Sequence, residues 1–186
     1  MSIDDAVAAI RRGDVIGVPT DTVYGIAADP MSESAVSRLF ELKGRPEHKP
    51  IGLLVASLQQ AEEIGDITGV ATRLAAAHWP GALTLVVTPR VILADWVGDA
   101  QSQTVGLRVP DHPTTLQILS AAGPLAVTSA NLSGGAESLS HDDARAVFGE
   151  LVPVYVEGWC PGGESSTVAD VTGGEVVVLR RGPVHL

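Results

Sequence analysis

Short apolar runs of strand length alternate with helical periodicities from residue 2 to residue 148, with no linker or internal repeat between them, and the remainder of the chain is extended. That order permits few folds. Strands separated by helices become neighbours in a helix-covered sheet, and a closing block of hairpin-like strands adds antiparallel members. The expected class is therefore α/β, or α+β, with a sheet of mixed direction. Ser2 is placed to cap a first helix whose apolar positions Ile3, Val7 and Ile10 recur at helical spacing, with Gly13 as its stop. Strands are expected at 15–18, 51–55, 83–88, 105–109 and 125–129. A second helix begins near Ser32, carries Val36, Leu39, Phe40 and Lys43, and ends at Gly44; others are expected at 58–64, 70–78, about 114–121 and about 142–148. Three strands, 154–157, 167–171 and 176–180, follow between Gly-rich turns. No Gly-x-Gly-x-x-Gly follows a strand and no Gly-Lys-Ser/Thr is present, which argues against pure Rossmann order and against a Walker loop. A phosphate site in this chain must be assembled from separate loops.

At 186 residues the chain suits a single domain, 1–186, with a sizeable core. Hydrophobic content of 45% with 18% charged residues is globular composition. No apolar run approaches the roughly 20 residues of a membrane span, and Met1-Ser2-Ile3-Asp4-Asp5 lacks the basic start of a secretion signal, so a soluble, cytoplasmic protein is expected. A lone cysteine, Cys160, excludes an internal disulfide, and no spaced His/Cys set suggests zinc. Cys160 reads better as a small residue in a Gly/Pro loop than as a nucleophile. A net charge of −10 opposes general affinity for nucleic acid, which depends on neutralising many phosphates, and 4% aromatic content leaves few surfaces for stacking bases. Any tRNA contact should be weak and local.

Against that acidic background, Lys43, Arg45 and Lys49 fall within Lys43-Gly44-Arg45-Pro46-Glu47-His48-Lys49 and include both lysines of the chain. Such a knot of cations beside Gly and Pro suits an anion, phosphate first, better than the other reading, a solvated helix end where cations offset the macrodipole. Four polar segments beside the expected strands are placed to meet at one mouth. Pro19 to Gly25 concentrates Thr20, Asp21, Thr22 and Tyr24 in one turn, which is either a binding loop or a turn bonded to its own backbone. Ser129-Ala130-Asn131-Leu132-Ser133-Gly134 is an anion-binding nest or an ordinary Gly turn. Gly162-Gly163-Glu164-Ser165-Ser166-Thr167 sets hydroxyls before a strand. Arg108 and Arg180 stand among apolar strand residues, where they need an anionic partner unless strand alternation turns them to water.

Taken in order, several segments resemble the threonylcarbamoyl-AMP synthase family, the YrdC-like domain. They are Pro19-Thr20-Asp21-Thr22-Val23-Tyr24-Gly25, Lys43-Gly44-Arg45-Pro46 with Lys49-Pro50, Trp79-Pro80-Gly81-Ala82-Leu83-Thr84, Arg108-Val109-Pro110-Asp111-His112-Pro113, Thr128-Ser129-Ala130-Asn131-Leu132-Ser133-Gly134, Ser166-Thr167-Val168 and Arg180-Arg181-Gly182. The resemblance implies an open twisted mixed sheet flanked by helices around a large concave basic cavity, in the short single-domain form without the C-terminal domain of longer members. It implies a nucleotidyltransferase that makes threonylcarbamoyl-AMP and pyrophosphate from L-threonine, bicarbonate and ATP, with Mg2+ on the phosphates. A separate tRNA-modifying transferase complex would then pass the threonylcarbamoyl group to the adenosine beside the anticodon. By the same resemblance Lys43 and Arg45 are catalytic, and Arg45, Lys49, Thr104, Ser129, Asn131 and Arg180 bind ATP. Thr22, Arg108 and Ser166 bind threonine, the arginine taking its carboxylate through two parallel bonds. No metal ligand from the protein is implied, and Glu164-Ser165-Ser166-Thr167 leaves either serine to face threonine. Two alternatives stand beside this one: a tRNA or double-stranded RNA binding module without catalysis, and a carbamoyl-adenylate-forming enzyme of the hydrogenase-maturation type.

Overall fold

The computed structural model describes residues 1–44 and 50–186. The helices are α1 Ile3–Arg11, α2 Glu33–Lys43, α3 Leu58–Ile64, α4 Val70–His78, α5 Pro113–Ala122 and α6 His141–Phe148. The strands are β1 Ile16–Val18, β2 Gly25–Ala28, β3 Gly52–Leu54, β4 Leu83–Val87, β5 Val105–Arg108, β6 Leu125–Ser129, β7 Val154–Tyr155, β8 Thr167–Asp170 and β9 Val177–Arg180. Serine starts four of the helices: Ser2, Ser32, Ser57 and Ser140 each accept a hydrogen bond from a backbone N–H in the first turn. At Ser2 the bond is returned, since the Asp5 carboxylate accepts from the Ser2 backbone at 2.9 Å. Gly44 ends α2 in the left-handed region at φ 59°, a conformation that glycine adopts without a side-chain clash.

The strands form one mixed sheet in the order β7-β1-β2-β6-β3-β5-β4-β8-β9. Two expectations are corrected here. Residues 25–28, of which the sequence reading places only Gly25, as the end of a loop, form β2, an antiparallel strand between β1 and β6. Gly-Ile-Ala-Ala has few of the β-branched and aromatic residues that signal a strand, and its burial on both faces is set by its neighbours. The expected strand 154–157 is also not part of a closing hairpin: β7 lies parallel to β1 at one edge, whereas β8 and β9 form an antiparallel pair at the other.

Strand alternation divides the interior into two layers. Ile26 and Ala28 of β2, Leu53 of β3, Leu83, Leu85 and Val87 of β4 and Leu107 of β5 face one layer, shared with α2, α3, α4 and α6. Ile16 and Val18 of β1, Ala27 of β2, Leu54 of β3 and Leu125 of β6 face the other, shared with α1 and α5. That second layer covers only part of the sheet. Gly52, Thr84, Val86, Gly106, Arg108, Val168 and Asp170, which alternate with core-facing neighbours, line an open cavity instead. Glycine at both 52 and 106 keeps the cavity floor low; a Cβ at Gly52 would come within 3.1 Å of the Gly106 carbonyl oxygen.

Candidate functional site

The cavity has a volume of about 710 Å3 and draws its walls from segments spread along the chain, from the loop after β1 to β9. Thr22, Lys43, Thr104, Arg108, Ser129, Ser166 and Arg180 all line it, so the separate loops read from the sequence do meet. Asn131 sits behind this wall, buried. Arg45 and Lys49 lie outside the described residues. Its charged lining among the described residues comprises Lys43, Arg108, Arg180, Asp99 and Asp170.

Lys43 reaches the cavity because of helical geometry. Val36, Leu39, Phe40 and Lys43 recur at the spacing of one helix face, and that face is buried. Its ammonium donates to the Ser129 carbonyl and to Ser129 Oγ, both at 2.8 Å, and to Asn131 Oδ1. Ser129 Oγ in turn donates to Asn131 Oδ1 at 2.8 Å, and the Asn131 amide donates to the Gly135 carbonyl at 2.6 Å. The lysine therefore braces the turn that follows β6 while standing at the cavity wall.

Arg108, also on the cavity wall, is 6% exposed. Its Nε donates to the Gly81 carbonyl at 2.9 Å, Nη1 to Thr22 Oγ1 at 2.9 Å and Nη2 to Asp21 Oδ1 at 2.5 Å. Burial pushes the guanidinium pKa down and the Asp21 carboxylate opposes that shift. The anionic partner that a buried arginine requires is thus supplied from inside the protein.

The Thr20–Thr22 contact has a fixed polarity. Thr20 donates its hydroxyl proton to the Val23 carbonyl at 2.7 Å, so in its 2.9 Å contact with Thr22 Oγ1 it acts as acceptor. Thr22 spends its own proton there and accepts from Arg108, which leaves its hydroxyl only a lone pair for a ligand. A donor, an amine or a hydroxyl, is what Thr22 can recognise. Cys160 supports the turn from behind, its sulfur accepting from the Thr20 backbone at 3.3 Å, and burial pushes its thiol up to about 11. A thiol held protonated behind the wall is a structural group, as the Gly/Pro context suggested.

Of the two serines before β8, Ser166 is buried; its Oγ lies 2.9 Å from Thr84 Oγ1 and accepts from Arg180 Nη2 at 3.1 Å. Ser165 also lines the cavity, but its hydroxyl donates to Glu137, tying this loop to the one after β6. Arg180, read as buried, stands on an exposed edge strand and is fixed by bonds to the Ser166 carbonyl and hydroxyl. The surrounding sheet ends at β9, so only one flank of that arginine is covered. Thr104 is held by paired backbone bonds with Asp99, and its hydroxyl lies 2.8 Å from Ser102 Oγ.

Reading residues one motif at a time named Thr20 and Asp21 only as parts of a candidate binding loop, and left the role of each, like that of Thr84, unassigned. All three were inside quoted motifs; the signal available was their polarity next to a strand end, without the long-range partners that give them roles. Among the described residues no group of three His, Cys, Asp or Glu is placed to hold a metal ion. No described helix is long and apolar enough to cross a membrane.

The family model Sua5/YciO/YrdC, described as "Telomere recombination", matches residues 8–182. A protein of Mycobacterium tuberculosis is 43% identical over 98% of this chain and 84% of its own length. A Vibrio cholerae protein named threonylcarbamoyl-AMP synthase is 35% identical, with 97% of each chain covered. The crystal structure of Pyrococcus abyssi Sua5 complexed with L-threonine superposes with a TM-score of 0.89 at 34% identity, over 97% of this chain and 54% of that one. This chain thus spans about half the length of the archaeal protein. Its fold, the order of its motifs and their convergence on one cavity agree with these matches, and the chain belongs to the Sua5/YciO/YrdC family.

Proposed function

We propose that this protein is an L-threonylcarbamoyladenylate synthase, joining L-threonine, bicarbonate and ATP. The observation that carries this reading is the meeting, on one cavity, of Thr22, Arg108 and Ser166 with Lys43, Thr104, Ser129 and Arg180. The threonine amine attacks bicarbonate, and loss of water leaves a carbamate. A carbamate oxygen then attacks the α-phosphorus of ATP while the bond from that phosphorus to the bridging oxygen breaks, releasing pyrophosphate. No nucleophilic side chain is needed, so the protein's work is to gather three substrates and balance charge.

In this reading Arg108 offers the substrate carboxylate the two N–H groups left on its terminal nitrogens after its bonds to Gly81, Thr22 and Asp21. Thr22, restricted to accepting, takes the amine or the hydroxyl, and the hydroxyl of Ser166, oriented by Thr84 and Arg180, completes the threonine site. Ser129, Thr104 and Arg180 hold the nucleotide, with Asn131 acting through Ser129 and Lys43. Lys43, Arg45 and Lys49 meet the phosphates, the first two at the reaction centre. Mg2+ belongs with the substrate: the described residues do not fit a protein-held ion, and phosphate oxygens and water suit its octahedral demand. The product passes to a tRNA-modifying transferase complex, in the cytoplasm.

Incubation with ATP, bicarbonate and each amino acid in turn, followed by product analysis, tests the proposal. Threonine-dependent release of pyrophosphate with formation of the mixed anhydride is expected. RNA binding without pyrophosphate release would instead favour a binding module, and dependence on carbamoyl phosphate would favour the hydrogenase-maturation chemistry.

A further inference from the structure

We propose that Asp21 is a positioning residue for substrate recognition, holding Arg108 in the single orientation from which it reads a carboxylate; this rests on the threonine reading above. One oxygen carries the arrangement. Asp21 Oδ1 accepts from Arg108 Nη2 at 2.5 Å and from the backbone N–H of Asp111 at 3.0 Å, so it joins the guanidinium to the turn that enters α5. The two side chains are 7% and 15% exposed, which makes this a shielded ion pair. Asp21 is not among the residues lining the cavity, whereas Thr20, Thr22 and Arg108 are. It therefore acts through the arginine and does not touch the ligand.

Three anchors fix the guanidinium, one at each nitrogen: the Gly81 carbonyl at Nε, the Thr22 hydroxyl at Nη1 and the Asp21 carboxylate at Nη2. Two are neutral oxygens. Only Asp21 combines a hydrogen bond with the opposite charge, so it supplies the strongest of the three restraints. Its charge does a second thing. A buried cation without a counter-ion takes up whatever anion is available, whereas one already paired discriminates by geometry. The carboxylate offsets the guanidinium charge and leaves shape, the remaining N–H pair, as the basis of selection.

Calorimetric titration of the full chain with L-threonine and separately with ATP, in buffers with and without sulfate, tests this. In Asp21→Asn the threonine dissociation constant should rise by at least about tenfold. ATP binding should change by less than about twofold, and sulfate should newly compete with threonine. Asp21→Glu retains the counter-charge but displaces it by one methylene, so it keeps the fold if the asparagine variant does not; it should show the same selective loss without the sulfate effect. In an Arg108→Lys background, Asp21→Asn should add little to the threonine defect, because the guanidinium fork it positions is already gone. Additive losses in that cycle, or equal losses toward ATP and threonine, would assign Asp21 a merely structural role and overturn the proposal. Unchanged threonine affinity in a folded variant would do the same. Wild-type protein that fails to bind threonine would overturn the functional reading itself, and this inference with it.

Discussion

Lys43 shows how one side chain serves both the fold and the site. A solvated helix end was one reading of this cation, but the helical stripe it shares with Val36, Leu39 and Phe40 carries it inward to Ser129 and Asn131. Lys43→Ala should therefore act twice. Loss of the charged donor to the Ser129 carbonyl, the Ser129 hydroxyl and the Asn131 amide oxygen, each of which keeps one other partner, costs about 1–3 kcal/mol. The turn after β6 should loosen, and ATP use should fall with it. Chemical denaturation and nucleotide titration read these two effects separately. A variant with unchanged midpoint would show that the lysine does not brace the turn, and unchanged ATP affinity and turnover would remove it from the phosphate site. Arg108 adds the other lesson of this scale, because its partner Asp21 lies 87 residues earlier. The requirement for an anion was readable from an arginine among apolar strand residues. Which anion was not, since no local spacing encodes a pair closed by the sheet.

At the scale of elements, a close approach between two loops sets the shape of the threonine side of the cavity. Gly163 donates its backbone N–H to the Thr22 carbonyl at 2.9 Å, and a Cβ on Gly162 would lie 2.5 Å from the Asp21 carbonyl oxygen and 2.9 Å from Thr22 Cα. These obstacles are backbone atoms, which cannot rotate away. Gly162→Ala is expected to push the segment 162–166 off the Pro19–Gly25 turn, raising the threonine requirement more than the ATP requirement; steady-state kinetics on both substrates checks it. The start of α5 gives a pH-dependent counterpart. His112 has its pKa held below the ordinary value by burial, against the pull of Asp21 and Asp111, and its buried Nδ1 has no hydrogen-bond partner among the described residues. As pH falls through the unfolded-state value of about 6.5, the unfolded chain takes up this proton before the folded one does. Stability should thus rise with pH across the window below about 6.5 and be lost on acidification. His112→Gln should lose less on passing from pH 7 to pH 5 than the wild type does in melting measurements; an equal loss would detach the effect from His112. Helices were the legible elements, since caps and apolar spacing are local. β2 was not, because Gly-Ile-Ala-Ala becomes a strand only through the antiparallel neighbours on either side. Nor could local pattern place β7 at the edge opposite β9, a consequence of which strand ends remain open once the rest has paired.

For the whole molecule, the decisive arrangement is a sheet whose two faces are covered unequally, so that the open part of the less covered face becomes the cavity floor. The sequence carried the ingredients: Thr84 and Val86 alternate with Leu83, Leu85 and Val87, and Gly106 and Arg108 alternate with Val105 and Leu107. It could not say that the polar phase faces a ligand and not bulk water, because that depends on where α1 and α5 stop covering the sheet. Selectivity among amino acids follows from what that phase presents. Threonine and serine differ by one methyl group, and a methyl in a pocket is worth only about 1–3 kcal/mol, so discrimination against serine should be about ten- to a few-hundred-fold. Valine keeps threonine's shape but has no hydroxyl. Its rejection should be more severe, because the acceptor-only Thr22 Oγ1, or the Ser166 hydroxyl held by Thr84 and Arg180, would face a methyl and lose the ligand bond at its remaining site. Competition among threonine, serine and valine for adenylate formation measures both terms. Valine adenylated as readily as serine would mean that neither hydroxyl reads the substrate and that Thr22 and Ser166 serve only to hold Arg108 and Arg180 in place.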